Sequence, residues 1–123
     1  MARFLLAAGA IVLAAAVAMG AIASHAVRNP AHPDAVRLLQ TAVLYQLVHG
    51  LGIVVIGTIA RGAASRWLAA SGLLLLAGVV LFCGSLYVLA FTASSLGIVA
   101  PLGGLAFIAG WMALAAFALL ERR

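Results

Sequence analysis

The chain has no lysine, two acidic residues, one cysteine and three prolines among 123 residues, and only 7% of its residues are charged. A soluble domain is about one quarter charged, so a water-facing surface of ordinary size cannot be assembled from this composition. The two acids are Asp34, in the loop before the second apolar run, and Glu121, at the far end of the last one, so no paired carboxylate for acid–base work is expected. Cys83 has no partner for an intramolecular disulfide or a multi-cysteine metal site, and lies inside an apolar run as a packing residue. No glycine-rich loop opens a helix after a strand, and no nucleophile stands beside a base on a shared face. The expectation is a protein that is not an enzyme and that has no cofactor and no metal site.

What the chain does have is apolar length: 67% of its residues are hydrophobic. Lipid is the solvent that suits such a chain, and its hydrocarbon layer of about 30 Å requires about 20 apolar residues per helical crossing. Four runs answer to that, at residues 4–26, 36–60, 67–91 and 98–120, separated by RNPAHPD, RGAASR and TASSLG. The expected fold is all-α, a single domain over 1–123 forming a bundle of four transmembrane helices. Pro33 followed by Asp34 suits the start of the second helix, because proline is tolerated in a first turn and an acid there favours the helix dipole. That helix, run to Ala60, would be about 40 Å long. Its DAVRLLQ start is therefore expected to project into the headgroups, tilt or bend. Pro101 in PLGG suits the first turn of the fourth helix.

The net charge of +5 comes from Arg3, Arg28, Arg37, Arg61, Arg66, Arg122 and Arg123. Each flanks an apolar run instead of joining a phosphate-binding patch, so no nucleic-acid partner is expected. Short loops rich in arginine stay on the cytoplasmic side. Four spans put five arginines with the two termini and the second loop, against Arg28 and Arg37 on the other side. Both termini are thus expected in the cytoplasm, with the lipid bilayer as the constant partner. Trp67 and Tyr87 fall where interfacial aromatics are expected. A competing reading treats the first run as a secretory signal, with Ala21-Ile22-Ala23 as its cleavage signature; the small residues of this run favour a retained, tightly packed helix.

Helices in lipid associate by close backbone approach through small residues. Ser71, Gly78, Ser85 and Thr92 recur every seven residues on the third span, Gly103 and Gly110 continue that interval on the fourth, and Ala16, Gly20 and Ser24 form a ladder on the first. Gly84, Gly103 and Gly104 leave bare backbone for further packing, so a homo-oligomer or another membrane protein partner stays open beside a monomer.

The second span carries Tyr45, Gln46 and His49 in one sector of about 100°, with Val43, Leu44, Leu47, Leu51 and Val54 opposite. The apolar side is expected to face lipid and the polar trio the bundle interior. Thr41, Arg37, Ser24 and His25 extend the polar edge towards the outer interface. His49 lies near mid-membrane with no acid nearby, which favours a neutral, hydrogen-bonded imidazole. Two uses of Tyr45, Gln46, His49 and His25 compete: hydrogen bonds that fix helix register, and a polar cavity for a small ligand, a quinone-like headgroup or protons. His25 and His49 differ in depth, which argues against shared haem ligation, and His32 reads as a solvated loop residue.

The segments MGAIASHAV (19–27), TAVLYQLVHGLGI (41–53), LFCGSLYVLAFT (81–92) and GIVAPLGGLAFIAGWMAL (97–114) together resemble domain-of-unknown-function family 423, which is similar to eukaryotic transmembrane protein 256. Its pattern reads GAFGAH, YQxxHA, FSGSLY and TPxGGLxFxxGW, and His25, Tyr45, Gln46, His49, Gly84, Ser85, Tyr87, Pro101, Gly103, Gly104, Gly110 and Trp111 stand at matching positions. The chain departs from it with AIASH for AFGAH, Gly50 for alanine, Cys83 for serine and Ala100 for threonine. The first departure loosens the packing inference at the end of the first span. The resemblance implies a four-span membrane protein, in bacteria of the inner membrane, with no established activity, and it argues against removal of the first span as a signal.

Overall fold

The computed structural model of the protein describes residues 1–25 and 34–121. These residues are helical throughout their regular parts, with no strand among them: α1 (Ala2–His25), α2 (Ala35–Ile59), α3 (Arg66–Gly78), a π-helical segment (Val79–Cys83), α4 (Gly84–Thr92) and α5 (Val99–Leu120). The run from α3 to α4 is one continuous rod, so four helices are long and apolar enough to cross a membrane. Helix is forced on these runs, because in hydrocarbon each backbone N–H and C=O must find its partner within the segment. Arg28, His32 and Pro33 in the first loop, and Arg122 and Arg123 at the C-terminus, lie outside the described residues.

The helices are held at close range by missing side chains. A Cβ on Gly9 would come within 2.7 Å of Val54 Cγ2, and one on Gly57 within 2.9 Å of the Leu6 backbone nitrogen. α1 and α2 therefore pack almost backbone to backbone. On the other flank α3 and α5 run antiparallel: the Ser71 hydroxyl donates to the Gly110 carbonyl at 2.8 Å, and a Cβ on Gly110 would meet Leu75. Leu5, Ile53, Ile56, Leu68 and Leu75 fill the core between these pairs, and a second cluster of Ala23, Ala35, Leu39 and Ala90 closes the opposite end. At the first end, Ser65 caps α3 by accepting from Trp67 N–H at 3.0 Å and donates its own hydroxyl to Glu121 at 2.7 Å. This ties the second loop to the end of α5.

The lipid-facing side of α2 differs from the one its sequence suggested. Val43 and Val54, expected to face lipid, pack instead against Gly20 and Gly9 of α1. A strip of Leu44, Val48, Leu51, Val55 and Ile59 is left exposed beside Tyr45, because α2 is flanked on both sides. At the start of α2, Ala35 and Leu39 are fully packed, while Arg37 beside them reaches outward to Asp34 at 3.4 Å.

The seven-residue seam on the third span is interrupted. In the π segment the Gly84 N–H reaches back five residues to the Val79 carbonyl, which adds a residue to the turn and rotates the rest of the span by about 100° relative to an unbroken α-helix. Ser71 and Gly78 face α5. Past the π turn the Ser85 hydroxyl donates to the Phe82 carbonyl of its own helix at 2.8 Å, and Thr92 is exposed. Ser24 of the α1 ladder is likewise exposed and bonds its own helix at Gly20. Of the glycines expected to pack, Gly103 lies against the Phe82 backbone, whereas Gly104 and Gly84 have open space where a Cβ would go.

That contrast is testable. Gly103→Ala should lower stability by about 1–3 kcal/mol through overpacking, and Gly104→Ala, next to it, should stay within about 0.5 kcal/mol of the parent, both measured by equilibrium unfolding in lipid–detergent micelles. Equal destabilisation by the two would mean that something outside the chain covers Gly104.

Candidate functional site

Tyr45, Gln46 and His49 are adjacent on α2 but part company in space. Gln46 is 5% exposed and turns into the bundle. Its Nε2 donates to the Val12 carbonyl of α1 at 2.9 Å, and its Oε1 accepts from the Tyr87 hydroxyl of α4 at 2.6 Å. One side chain thereby joins three spans, with both ends of its amide occupied. Tyr87, expected among the interfacial aromatics, has its hydroxyl turned to an acceptor on α2 and its ring packed against the core.

His49, 6% exposed, faces α5. Its ring stacks on Phe107 with centroids 3.5 Å apart and planes 15° from parallel, and it has Trp111 at 6.0 Å and Tyr45 at 5.7 Å. Phe82 closes the group against Tyr45 at 4.7 Å and Phe107 at 5.7 Å. Glycines make the room: a Cβ on Gly78 would overlap the Phe107 ring, one on Gly52 would come within 2.9 Å of Trp111, and one on Gly103 would strike the Phe82 backbone. Small residues on three spans thus serve as seats for the rings around one imidazole.

The hydrogen bonding of His49 fixes its tautomer. Nδ1 lies 2.6 Å from the Tyr45 carbonyl, and because a carbonyl only accepts, Nδ1–H is the donor. Asp34 is paired with Arg37 at the head of α2, and Glu121 accepts from Ser65 at the far end of the bundle. With neither acid beside it and apolar rings around it, the neutral imidazole is the form that belongs here. Nε2 then carries the lone pair.

Outside His49 the surface of α2 forms a groove of about 160 Å³ lined by Leu44, Tyr45, Val48 and His49, with an apolar wall. It opens on the exposed strip of α2. His25 does not join it: the residue is exposed at the end of α1, and from Val12, which is level with Gln46, the α1 axis rises about 20 Å to reach it. Among the described residues, no group of three or more His, Cys, Asp or Glu side chains could hold a metal ion. Phe107 and Trp111 were not recognisable from sequence as partners of His49, nor Phe82 as a partner of Tyr45; the only hint was glycine at helical spacings on the facing spans.

The Gln46 link predicts a measurable coupling. Gln46→Leu should destabilise more than Tyr87→Phe, since it breaks the link to α1 as well. A double-mutant cycle on the pair should return a coupling of about 0.6 kcal/mol, and at most about 1.7 kcal/mol. Additive effects would show that the two side chains do not meet in lipid.

Comparison with known proteins matches residues 19–104 to a family described as protein of unknown function, DUF423. The chain is 42% identical over 107 residues to a UPF0382 membrane protein of Staphylococcus haemolyticus, covering 86% of this chain and 87% of the relative. It is 39% identical over 108 residues to the UPF0382 membrane protein YwdK of Bacillus subtilis, covering 85% and 86%. With the UPF0382 inner membrane protein YgdD of Escherichia coli it shares 36% identity over 110 residues, covering 89% and 84%. No solved structure matches. The four apolar helices, the Tyr-Gln-xx-His segment at their centre and these relatives together make the chain a membrane protein of the DUF423 family.

Proposed function

We propose that the chain is a non-enzymatic component of the bacterial inner membrane that serves as a structural or accessory member of a larger assembly, whether of its own copies or with another membrane protein. The observation that carries this reading is the Gln46 amide, whose two ends are spent on Val12 and Tyr87 of neighbouring spans. A polar residue in hydrocarbon is costly, and here its hydrogen-bonding capacity goes into fixing helix register. Ser71 is used the same way, on Gly110.

The rival use of Tyr45, Gln46, His49 and His25 as the lining of a conducting path finds less support. His25 is far from the other three, and Gln46 is a carboxamide that does not titrate and is held at both ends by Val12 and Tyr87. The groove beside His49 lies on the outer strip of α2 instead of along the bundle axis. The inner-membrane location is supported by the name of the Escherichia coli relative. Cytoplasmic termini are supported by Arg3, Arg61 and Arg66 in the N-terminal and second-loop segments.

Two measurements test this reading. Purified protein in proteoliposomes should show no proton flux above protein-free vesicles under an imposed potential; a saturable flux lost in His49→Phe would favour conduction. In native gels of mildly solubilised membranes the chain should migrate as part of a larger complex, and Gln46→Leu should shift it to the free chain. Migration of the parent as a lone monomer would count against the accessory role.

A further inference from the structure

The end of the bundle that carries Arg3, Arg61 and Arg66 differs from the other in its charge balance. At the opposite end Arg37 is answered by Asp34 at 3.4 Å. Here the described acid, Glu121, accepts from the Ser65 hydroxyl at 2.7 Å, and among the described residues no carboxylate forms an ion pair with Arg3, Arg61 or Arg66. All three arginines are exposed. Their charge is left to be answered from outside the described chain.

Packing gathers the three into one thin layer. Leu5 of α1 meets both Gly57 of α2 and Gly72 of α3, so three helices converge on it, with axes about 8–10 Å apart as packed helices are. Counted outward from that level at about 1.5 Å per residue, Arg3 stands about 4 Å, Arg61 about 6 Å and Arg66 about 9 Å further out. Their surroundings identify the medium. Phe4, next to Arg3, is 53% exposed and Ile59, two residues before Arg61, is 36% exposed, so side chains suited to acyl chains begin directly beneath the arginines. Trp67 is half-buried at the same boundary, where indole rings are favoured. The anion that a bilayer supplies at this depth is a lipid phosphate.

We propose that this end of the bundle binds the headgroup of an anionic phospholipid, with Arg61 and Arg66 on its phosphate, Arg3 supplying a third positive charge, and the acyl chains beside Phe4 and Ile59. Arg66 is the best prepared of the three: its guanidinium carbon lies 5.6 Å from the centre of the Trp67 ring. Such a contact engages the face of the guanidinium and leaves its N–H edges for the paired oxygens of a phosphate, which a lysine ammonium cannot match in shape. Net charge sets the preference among lipids. A zwitterionic headgroup carries its own cation into a site that already holds three, whereas an anionic one carries none. This goes beyond the accessory role, which stands whichever lipid surrounds the chain, and it holds for either orientation in the membrane.

The test is native mass spectrometry of the full chain released from micelles that hold equal amounts of palmitoyl-oleoyl phosphatidylglycerol and palmitoyl-oleoyl phosphatidylcholine. The expected result is retention of phosphatidylglycerol about tenfold or more above phosphatidylcholine, as two or three arginines near an anionic headgroup provide. In Arg61→Gln/Arg66→Gln the ratio should fall to within about twofold of unity, and in Arg37→Gln, whose partner is Asp34 at the other end, it should equal that of the parent. Should the double variant fail to insert or fold, Arg66→Lys decides: it keeps the charge but loses the flat fork over Trp67, and the ratio should drop about threefold or more. A ratio unchanged in Arg66→Lys would show attraction by charge alone and overturn the site. So would a preference that survives in the double variant, or one lost equally in Arg37→Gln. Equal retention of the two lipids by the parent would also overturn it, and would leave these arginines to an acidic segment of a protein partner.

Discussion

In hydrocarbon, burying one apolar side chain against another gains little over leaving it in lipid, so a helix bundle there depends on how closely backbones approach and on what the few polar groups do. This protein is organised around that constraint. Gly9 and Gly57 bring α1 and α2 together, and Gly52, Gly78 and Gly103 open seats on three spans for Trp111, Phe107 and Phe82. The rings so admitted make the environment of His49. Remove the seats, and the stack of His49 on Phe107 loses its support.

Polar groups then divide the labour. Gln46 and Ser71 are spent inside the bundle, each reaching a carbonyl of another span, and they lock register in a structure whose apolar surfaces alone would slide. His49 sits three residues from Gln46 and does something different: one nitrogen is tied to its own helix and the other is left at the surface. A hydroxyl on Ser24, Thr41, Thr58 or Thr92 also returns to the carbonyl four residues back, which is how a side chain at no interface satisfies itself in a helix. His49 shares that local bond but retains a second polar atom, and that surplus sets it apart from the other polar residues of the spans.

Much of this was legible in the chain itself. The four crossings follow from apolar runs with arginine at their margins, and the uneven spacing of polar residues on the second span marked it as the one to watch. What could not be read was which helix lies on which flank of α2. A helical wheel opposes Val43 and Val54 to the polar trio, but it has no term for α1, which covers both through Gly20 and Gly9. The π turn left no signature of its own, since VVLFC is an ordinary apolar run. Phe82 and Phe107, which face the site, look the same in sequence as Phe4 and Phe91, which are exposed. Ring partners are a property of packing, and only the glycines opposite them hinted at it.

The imidazole of His49 seated on Phe107 is the contact through which glycine spacing, helix packing and the groove are connected. Solid-state NMR in bilayers, with ¹³C labels on the rings of histidine and phenylalanine, reads it directly. A strong through-space correlation between the His49 and Phe107 rings, at a spacing near 3.5 Å, is the result this account predicts. Correlations of His49 with acyl-chain protons and none with Phe107 would contradict it.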